Sequence, residues 1–495
     1  LVPTHREERY TCAPSGSLEI FTSGTEESSR LYSTRSSFPA SRKTVSSNGS
    51  DYLVVWDEYG ENLTEIYGAR VASTGTVVDE DRIEICTADS RQERPAVTSD
   101  GTDYFVAWID RNDPEGDAIH GARVSSAGVL LDGPPESGGI PIASGTATWS
   151  LSGNRPGIAW DGNNYMVAWV DKRNSGSGGQ DIYGARVGAD GTVLDAAGIP
   201  VSTAVDNQSS PAMAPAAQGF LVLWSDERGA ETDVGLDVYG IRINAGGTLL
   251  DGPADTGGIV FSAGMNSQIE PAIAWDGTNY LVVWVDNRNL MDYDVYGARL
   301  GPTGEFLDGT GFAISTAAGT QYDPTVIWNG NTYLVAWEDN RNGADYDIYA
   351  ARVSSSGALL DTPASTGGIA VCTAAGDQAN PALSWDGTNY LLLWQDKRAG
   401  NYDIYAARMT PAGSLLDGDP ASGGLLVSDS TNNDGSPAAV WDGEQYLVVW
   451  NTYYFTSSGF PNYIYTYYSD IFGRKVGTDG SLLPLITIDA ASSPY

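Results

Sequence analysis

One short pattern recurs eight times along this chain. Trp284 opens WVDNRNLMDYDVYGARL, Trp169 opens WVDKRNSGSGGQDIYGARV, Trp337 opens WEDNRNGADYDIYAARV and Trp394 opens WQDKRAGNYDIYAARM. Trp224 opens a longer version, and looser copies start at Trp56, Trp108 and Trp450. Successive tryptophans stand 52, 61, 55, 60, 53, 57 and 56 residues apart. A fixed period of this size marks a repeat architecture and decides the fold before any site is considered.

Each repeat reads as four short strands. In the fifth, Pro271–Tyr280 gives an apolar strand and a turn at Asp276-Gly277, and Tyr280–Val285 is a second strand. That strand is apolar on both faces, so both faces are covered. A polar hairpin loop leads to a third strand at Asp294–Leu300, and Gly311–Ser315 is a weaker fourth. Four antiparallel strands per repeat, nothing helical and sheets covered on both sides predict an all-β chain, a single eight-bladed β-propeller. Its second strands are expected at 52–56, 104–109, 165–170, 220–225, 280–285, 333–338, 390–395 and 446–450. Two tryptophans per repeat, such as Trp275 and Trp284, supply apolar area between blades. Residues 1–42 read as an N-terminal segment and 43–495 as the ring. Leu18–Ser23 resembles a fourth strand and competes with Leu485–Ile488 to close the last blade.

The pattern YLVVW…D…DIYGARV…G…LLD, spread over residues 43 to about 485, resembles propeller repeats of large secreted or cell-surface proteins of bacteria. That resemblance implies the propeller fold and a place outside the cell. A start at Leu1 rather than Met fits a processed N-terminus.

Charge narrows the partners. There are 63 acids against 27 bases, a formal net charge of −36, and only four bases are lysines. Such a chain repels nucleic acid and anionic membranes. No run of 18 apolar residues offers a membrane span. Three cysteines and two histidines show no metal-ligand spacing, so no zinc or haem site is expected. Cys86 and Cys372 occupy equivalent places in repeats five units apart, which sets them far apart in a ring of eight.

Three features are candidates for chemistry. Asp286, Asp339 and Asp396, each two residues before an Arg, and Asp294, Asp347 and Asp403 across the loop are weak calcium ligands in type. Five near-identical copies of Asp-x-Arg argue for scaffolding, because a catalytic acid and base need different environments. Gln92, Gln208, Gln268, Gln321 and Gln378, each three residues before a Pro, read as strand-linking segments on the same face as the Asp-x-Arg loops. Repeat eight breaks the pattern with a loop carrying Tyr453, Tyr454, Phe455, Phe460, Tyr463, Tyr465, Tyr467 and Tyr468. Such a loop suits binding, by analogy with tyrosine-rich recognition surfaces, or covers the ring seam. No catalytic residue and no cofactor other than calcium emerges. The expected function is a non-catalytic extracellular scaffold binding another surface protein or a glycan. The alternative is a polysaccharide hydrolase or lyase with its site at the channel mouth.

Overall fold

The computed structural model describes residues 43–489, except 60–62, 80, 114–115, 148–154, 175–178, 217–218, 229–234, 263–265 and 459–463. Ala40–Tyr495 form one compact unit. Cys12 and the strand expected at 18–23 lie outside the described residues.

The described residues form 32 strands, arranged as eight four-stranded antiparallel blades closed into a β-propeller. The second strands are Asp51–Tyr59, Tyr104–Asp113, Asn164–Asp171, Gly219–Asp226, Tyr280–Asp286, Thr332–Asp339, Tyr390–Asp396 and Tyr446–Ser458. All eight fall where the tryptophan-bearing segments place them, and the last runs eight residues further than expected. Blades two and three share one extra pairing, Ala147 with Asp171. No helix among the described residues is long and apolar enough to cross a membrane.

The alternation of the second strand explains the assembly. Tyr280, Val282 and Trp284 pack with Leu221, Leu223 and Phe261 of blade four, whereas Leu281 and Val283 pack with Tyr333, Val335 and Trp337 of blade six. Eight such clusters of described residues fill the eight blade interfaces. The eighth joins Leu447, Val449, Ile486 and Ile488 to Tyr52, Val54 and Trp56, so blade eight meets blade one. A buried Trp removes roughly 200 Å² from water, on the order of 5 kcal/mol before entropy is counted.

A second set of contacts latches each blade to the next on the face carrying the third-to-fourth links. Arg299 forks onto Asp308 nine residues later, at 2.9 and 2.6 Å, and its other Nη donates to Ser355 O of blade six at 2.7 Å. Arg70, Arg123, Arg186, Arg242, Arg352 and Arg408 do the same one blade further round each time. The accepting turn needs glycine on two counts: Gly357 has φ +83°, and a Cβ there would lie 2.6 Å from Arg299 Nε. At the last joint Lys475 replaces the arginine, binding Asp442 at 2.8 Å and the Ser73 carbonyl of blade one. The C-terminal strand Leu482–Asp489 pairs in blade eight as its fourth strand.

Candidate functional site

The Asp-x-Arg units form a repeated buried cluster. Asp286 has no exposed surface. Its Oδ2 accepts from Trp284 Nε1 at 2.9 Å and from Arg288 Nη2 at 2.5 Å, and its Oδ1 accepts from the Arg288 amide and Nε at 2.9 and 2.8 Å. The guanidinium lies 4.0 Å from the centre of the Tyr296 ring. Asp171, Asp226, Asp339 and Asp396 hold the same partners in their own blades. Blade one lacks the hairpin arginine and takes one from its third-to-fourth link instead. Arg82 pairs with Glu58 and stacks 3.5 Å from the Tyr67 ring centre. Sequence spacing does not show this replacement, because Arg82 is 26 residues from Trp56.

The far-loop acids are bound differently. Asp294 and Asp347 each accept from an asparagine amide at 3.0 Å, from Asn289 and Asn342. Burial, then the neighbouring Asp292 or Asp345 charge, pushes each carboxyl up to about 7. Asp403, beside Asn401, is pushed up to about 6 by burial and then Asp434. Of the six calcium candidates, Asp286, Asp339 and Asp396 therefore have their oxygens occupied by Trp and Arg donors. Among the described residues, no three His, Cys, Asp or Glu groups are placed to share a metal ion. Cys86 and Cys372 are free and buried, each at the end of a fourth strand. Cys372 stands where blade four has Ser262, with Arg398 Nη2 at 3.0 Å from its Sγ.

The glutamines prove to be inside the sheet, a correction to their reading as links. Gln268 is the first residue of the strand Gln268–Trp275 and is paired directly with Asp286. Gln208, Gln321 and Gln378 pair with Asp226, Asp339 and Asp396 in the same way. Their amides donate back to carbonyls of the preceding turn, as Gln378 does to Ala374 and Gly376 at 3.1 and 2.6 Å. The link is held from within the blade, which is why Gln recurs there.

Two residues after each Gln the innermost strand bulges, and this bulge builds the channel rim. Arg94, Ser210, Glu270, Asp323, Asn380 and Ser436 have φ between +49 and +60°, at +60, +54, +54, +49, +54 and +51°. Each immediately precedes a proline. A residue other than glycine in this region costs about 1 kcal/mol or more. The bulge amide points at the preceding blade. Asp323 N–H donates to Glu270 Oε2 at 3.2 Å, Asn380 N–H to Glu338 Oε1 at 2.8 Å, and Ser436 N–H to Gln395 Oε1 at 3.2 Å. Arg94 N–H donates to Asp57 Oδ2 at 3.3 Å. Lys43 Nζ crosses the seam to Ser436 O at 2.5 Å and Asn451 Oδ1 at 2.8 Å. First strands of consecutive blades lie side by side all round the ring, so these residues encircle the channel. Burial, then the Asp323 charge, raises the Glu270 carboxyl to about 8. The sequence signal for the rim was the variable letter before each proline of Gln-x-x-Pro.

The tyrosine-rich segment is mostly strand rather than loop. Tyr446–Ser458 and Ile464–Val476 are thirteen residues each and stay in register to Ser458 opposite Ile464. Tyr454 opposes Tyr468, Phe455 opposes Tyr467 and Ser457 opposes Tyr465. The first and fourth strands of the blade pair no further out than Tyr453 and Ile471, so the outer part is a two-stranded ribbon among the described residues. Tyr453 packs on Gly435 beside the rim, where a Cβ would meet its ring at 2.8 Å. Phe460 and Tyr463 lie outside the described residues.

No family model matches the chain, and neither does any curated protein. Among solved structures it is similar to an S511A mutant of puromycin hydrolase, with 13% identity and a TM-score of 0.45 over 82% of this chain and 55% of that one. A puromycin-hydrolyzing peptidase of Mycobacterium tuberculosis aligns with 13% identity and a TM-score of 0.42 over 83% and 55%. An α-L-arabinanase of Cellvibrio cellulosa complexed with arabinohexaose aligns with 12% identity and a TM-score of 0.30 over 55% and 93%. The chain thus spans about half the length of the first two.

Proposed function

We propose that this protein is an extracellular binding propeller that seats a glycan on the rim of its channel, on the face carrying the Asp-x-Arg hairpins. One observation carries the reading. The scaffold clusters repeat the same residues in five blades, whereas the bulge position keeps its left-handed backbone in six and changes its side chain. Glycine would hold that backbone with less strain, so the side chain is what each blade retains there. The set Arg94, Ser210, Glu270, Asp323, Asn380 and Ser436 contains guanidinium, hydroxyl, carboxyl and amide groups and no aliphatic one. That composition suits a polyhydroxyl ligand, whereas the core of a protein interface is apolar, aromatic and poor in charge. Tyr293 and Tyr322, with ring centres 5.1 Å apart, adjoin Asp323 and offer a stacking surface.

A second reading, hydrolase or lyase action at the same rim, is favoured by one specific pair. Glu270 and Asp323 adjoin, and the raised Glu270 carboxyl keeps a proton near neutral pH as a general acid must. One experiment addresses both readings. The protein is applied to a glycan array, and soluble members that bind are then incubated with it and assayed for new reducing ends. Retention that is lost in Asp323→Ala and Asn380→Ala, with unchanged melting and no new ends, is the expected result. Chain cleavage that disappears in Glu270→Gln would move the assignment to the enzyme. No retained glycan at all would refute both.

A further inference from the structure

The fourth strand of each blade ends beside the hairpin of the next, and three of these joints bring together one carboxylate, one guanidinium and one neutral group. Ser202 lies 3.0 Å from Arg228 Nη2, Ser262 3.3 Å from Arg288 Nη2 and Cys372 3.0 Å from Arg398 Nη2. Each arginine pairs with the aspartate two residues before it. Burial pushes the Cys372 thiol up to about 12, so it stays neutral like the serines. The charges at each of these joints cancel. Cys86, Ser315 and Ser428 stand at the same place in their own blades and carry no charge either.

The joint between blades eight and one breaks this balance. Its fourth strand ends in Asp489, where the other strands end in serine or cysteine. Glu58 takes the place of the hairpin aspartate and accepts from Trp56 Nε1 at 3.4 Å. One cation serves both acids: Arg82 Nη1 pairs with Glu58 Oε2 and lies 3.5 Å from Asp489 Oδ1. The Asp489 side chain is only 12% exposed, so water screens the pair poorly. The neighbouring acids add to the excess. Asp470, on the third strand of blade eight, acts on Asp489, and Glu65, on the third strand of blade one, accepts from the Tyr67 hydroxyl beneath Arg82. Burial, then the Glu58 charge, pushes the Asp489 carboxyl up to about 6 against the pull of Arg82.

We propose that this joint is a proton-operated clasp. With one proton between Asp489 and Glu58 the seam is tight; without it the two carboxylates compete for Arg82, and this joint opens before the others. The opening is confined to the hairpin face, because Lys475 and Asp442 fasten the other face of the same joint.

The direction of the effect follows from linkage. An unfolded chain releases the Asp489 proton near its ordinary value of about 3.9. Between that value and about 6 the folded joint still holds it. The contribution of this group to stability is therefore greatest below the lower value and falls as pH rises to the upper one. Lys43, which crosses the same seam, is pulled down to about 7 by burial and then by Arg155. It acts in the opposite direction and only above that pH, so the test stays below it.

The test is hydrogen exchange read by mass spectrometry at about pH 5 and about pH 6.5, corrected for the intrinsic pH dependence of exchange, on the whole chain and on Asp489→Ser. Peptides covering Leu482–Asp489 and Asp51–Tyr59 should lose roughly threefold or more of their protection at the higher pH, relative to peptides covering Phe312–Ser315 and Thr332–Asp339 at the joint of blades five and six. Asp489→Ser should abolish that extra loss, and its melting temperature should fall less than that of the parent between the two pH values. The raised acids elsewhere are common to both proteins and cancel in this comparison. If the variant does not fold, the difference between the two joints in the parent chain decides. Equal loss at both joints, an unchanged loss in Asp489→Ser, or weaker protection in the variant at the higher pH overturns the inference.

Discussion

At the scale of the residue, Asp286 and Asp323 are both aspartates on one face, and their surroundings give them opposite roles. Asp286 is fully buried, with Trp284 and Arg288 donors on both oxygens, so its free energy is spent on holding a hairpin. Asp323 is exposed and sits on a strained backbone that glycine would occupy more easily. Asp286→Ala leaves the buried Trp284 indole without its acceptor and should lower stability by about 1–3 kcal/mol. Denaturant titration would measure this, and glycan retention should be untouched; lost retention at full stability would reverse the assignment. The Asp286 role was legible because five copies of one tripeptide cannot all be an active site. The Arg299–Asp308 fork was not, although both letters stand in the repeat pattern. It depends on how the third-to-fourth link folds back and on where the next blade's turn arrives, and neither is a property of local periodicity.

Among the elements, second strands were the most legible, because apolar residues on both faces fit only a strand held between two blades. First strands were placed too short at their start. Gln268 and Glu270 look like linker residues by polarity, yet they pair within the sheet round a bulge. Bulges are invisible to a period-two reading, since they break the period they sit in. The ribbon of blade eight reads as a loop in the sequence, because Ser, Gly and Pro at its tip outweigh the β-forming Tyr, Phe and Thr of its arms. Its five outer pairs, from Tyr454–Tyr468 to Ser458–Ile464, reach roughly 16 Å beyond the blade at about 3.3 Å per residue. Replacing residues 454–468 by an Asn-Gly turn should leave the ring folded, with a melting temperature within a few degrees, and reduce glycan retention severalfold. A variant that no longer folds would make the ribbon a cover for the seam, and a folded one with full retention would confine recognition to the rim.

For the whole molecule, the number of blades followed from counting tryptophans, whereas the manner of closure did not. The joint between blades eight and one uses the same two devices as the other joints, a packed cluster and a cation reaching a carbonyl of the next blade's turn. The ion pair differs: Lys475 stands for the arginine, and Asp442 of the first-to-second turn stands for the aspartate nine residues on. Lys475 has no exposed surface, and Asp442 is its partner. Lys475→Met would strand a buried carboxylate and should cost about 3–5 kcal/mol, read as a lower midpoint in urea. Lys475→Arg should cost much less, and equal losses in the two would show that shape rather than charge matters at the joint. Each described blade is also built from one unbroken stretch of chain, with no strand lent across the seam. The order in which the blades are strung is therefore separable from the ring they make. Opening the chain at any fourth-to-first link and joining Asp489 to Lys43 through a short tether should give a circular permutant with the same ring, and a gene adding or dropping one repeat would alter the circumference without redesigning any joint.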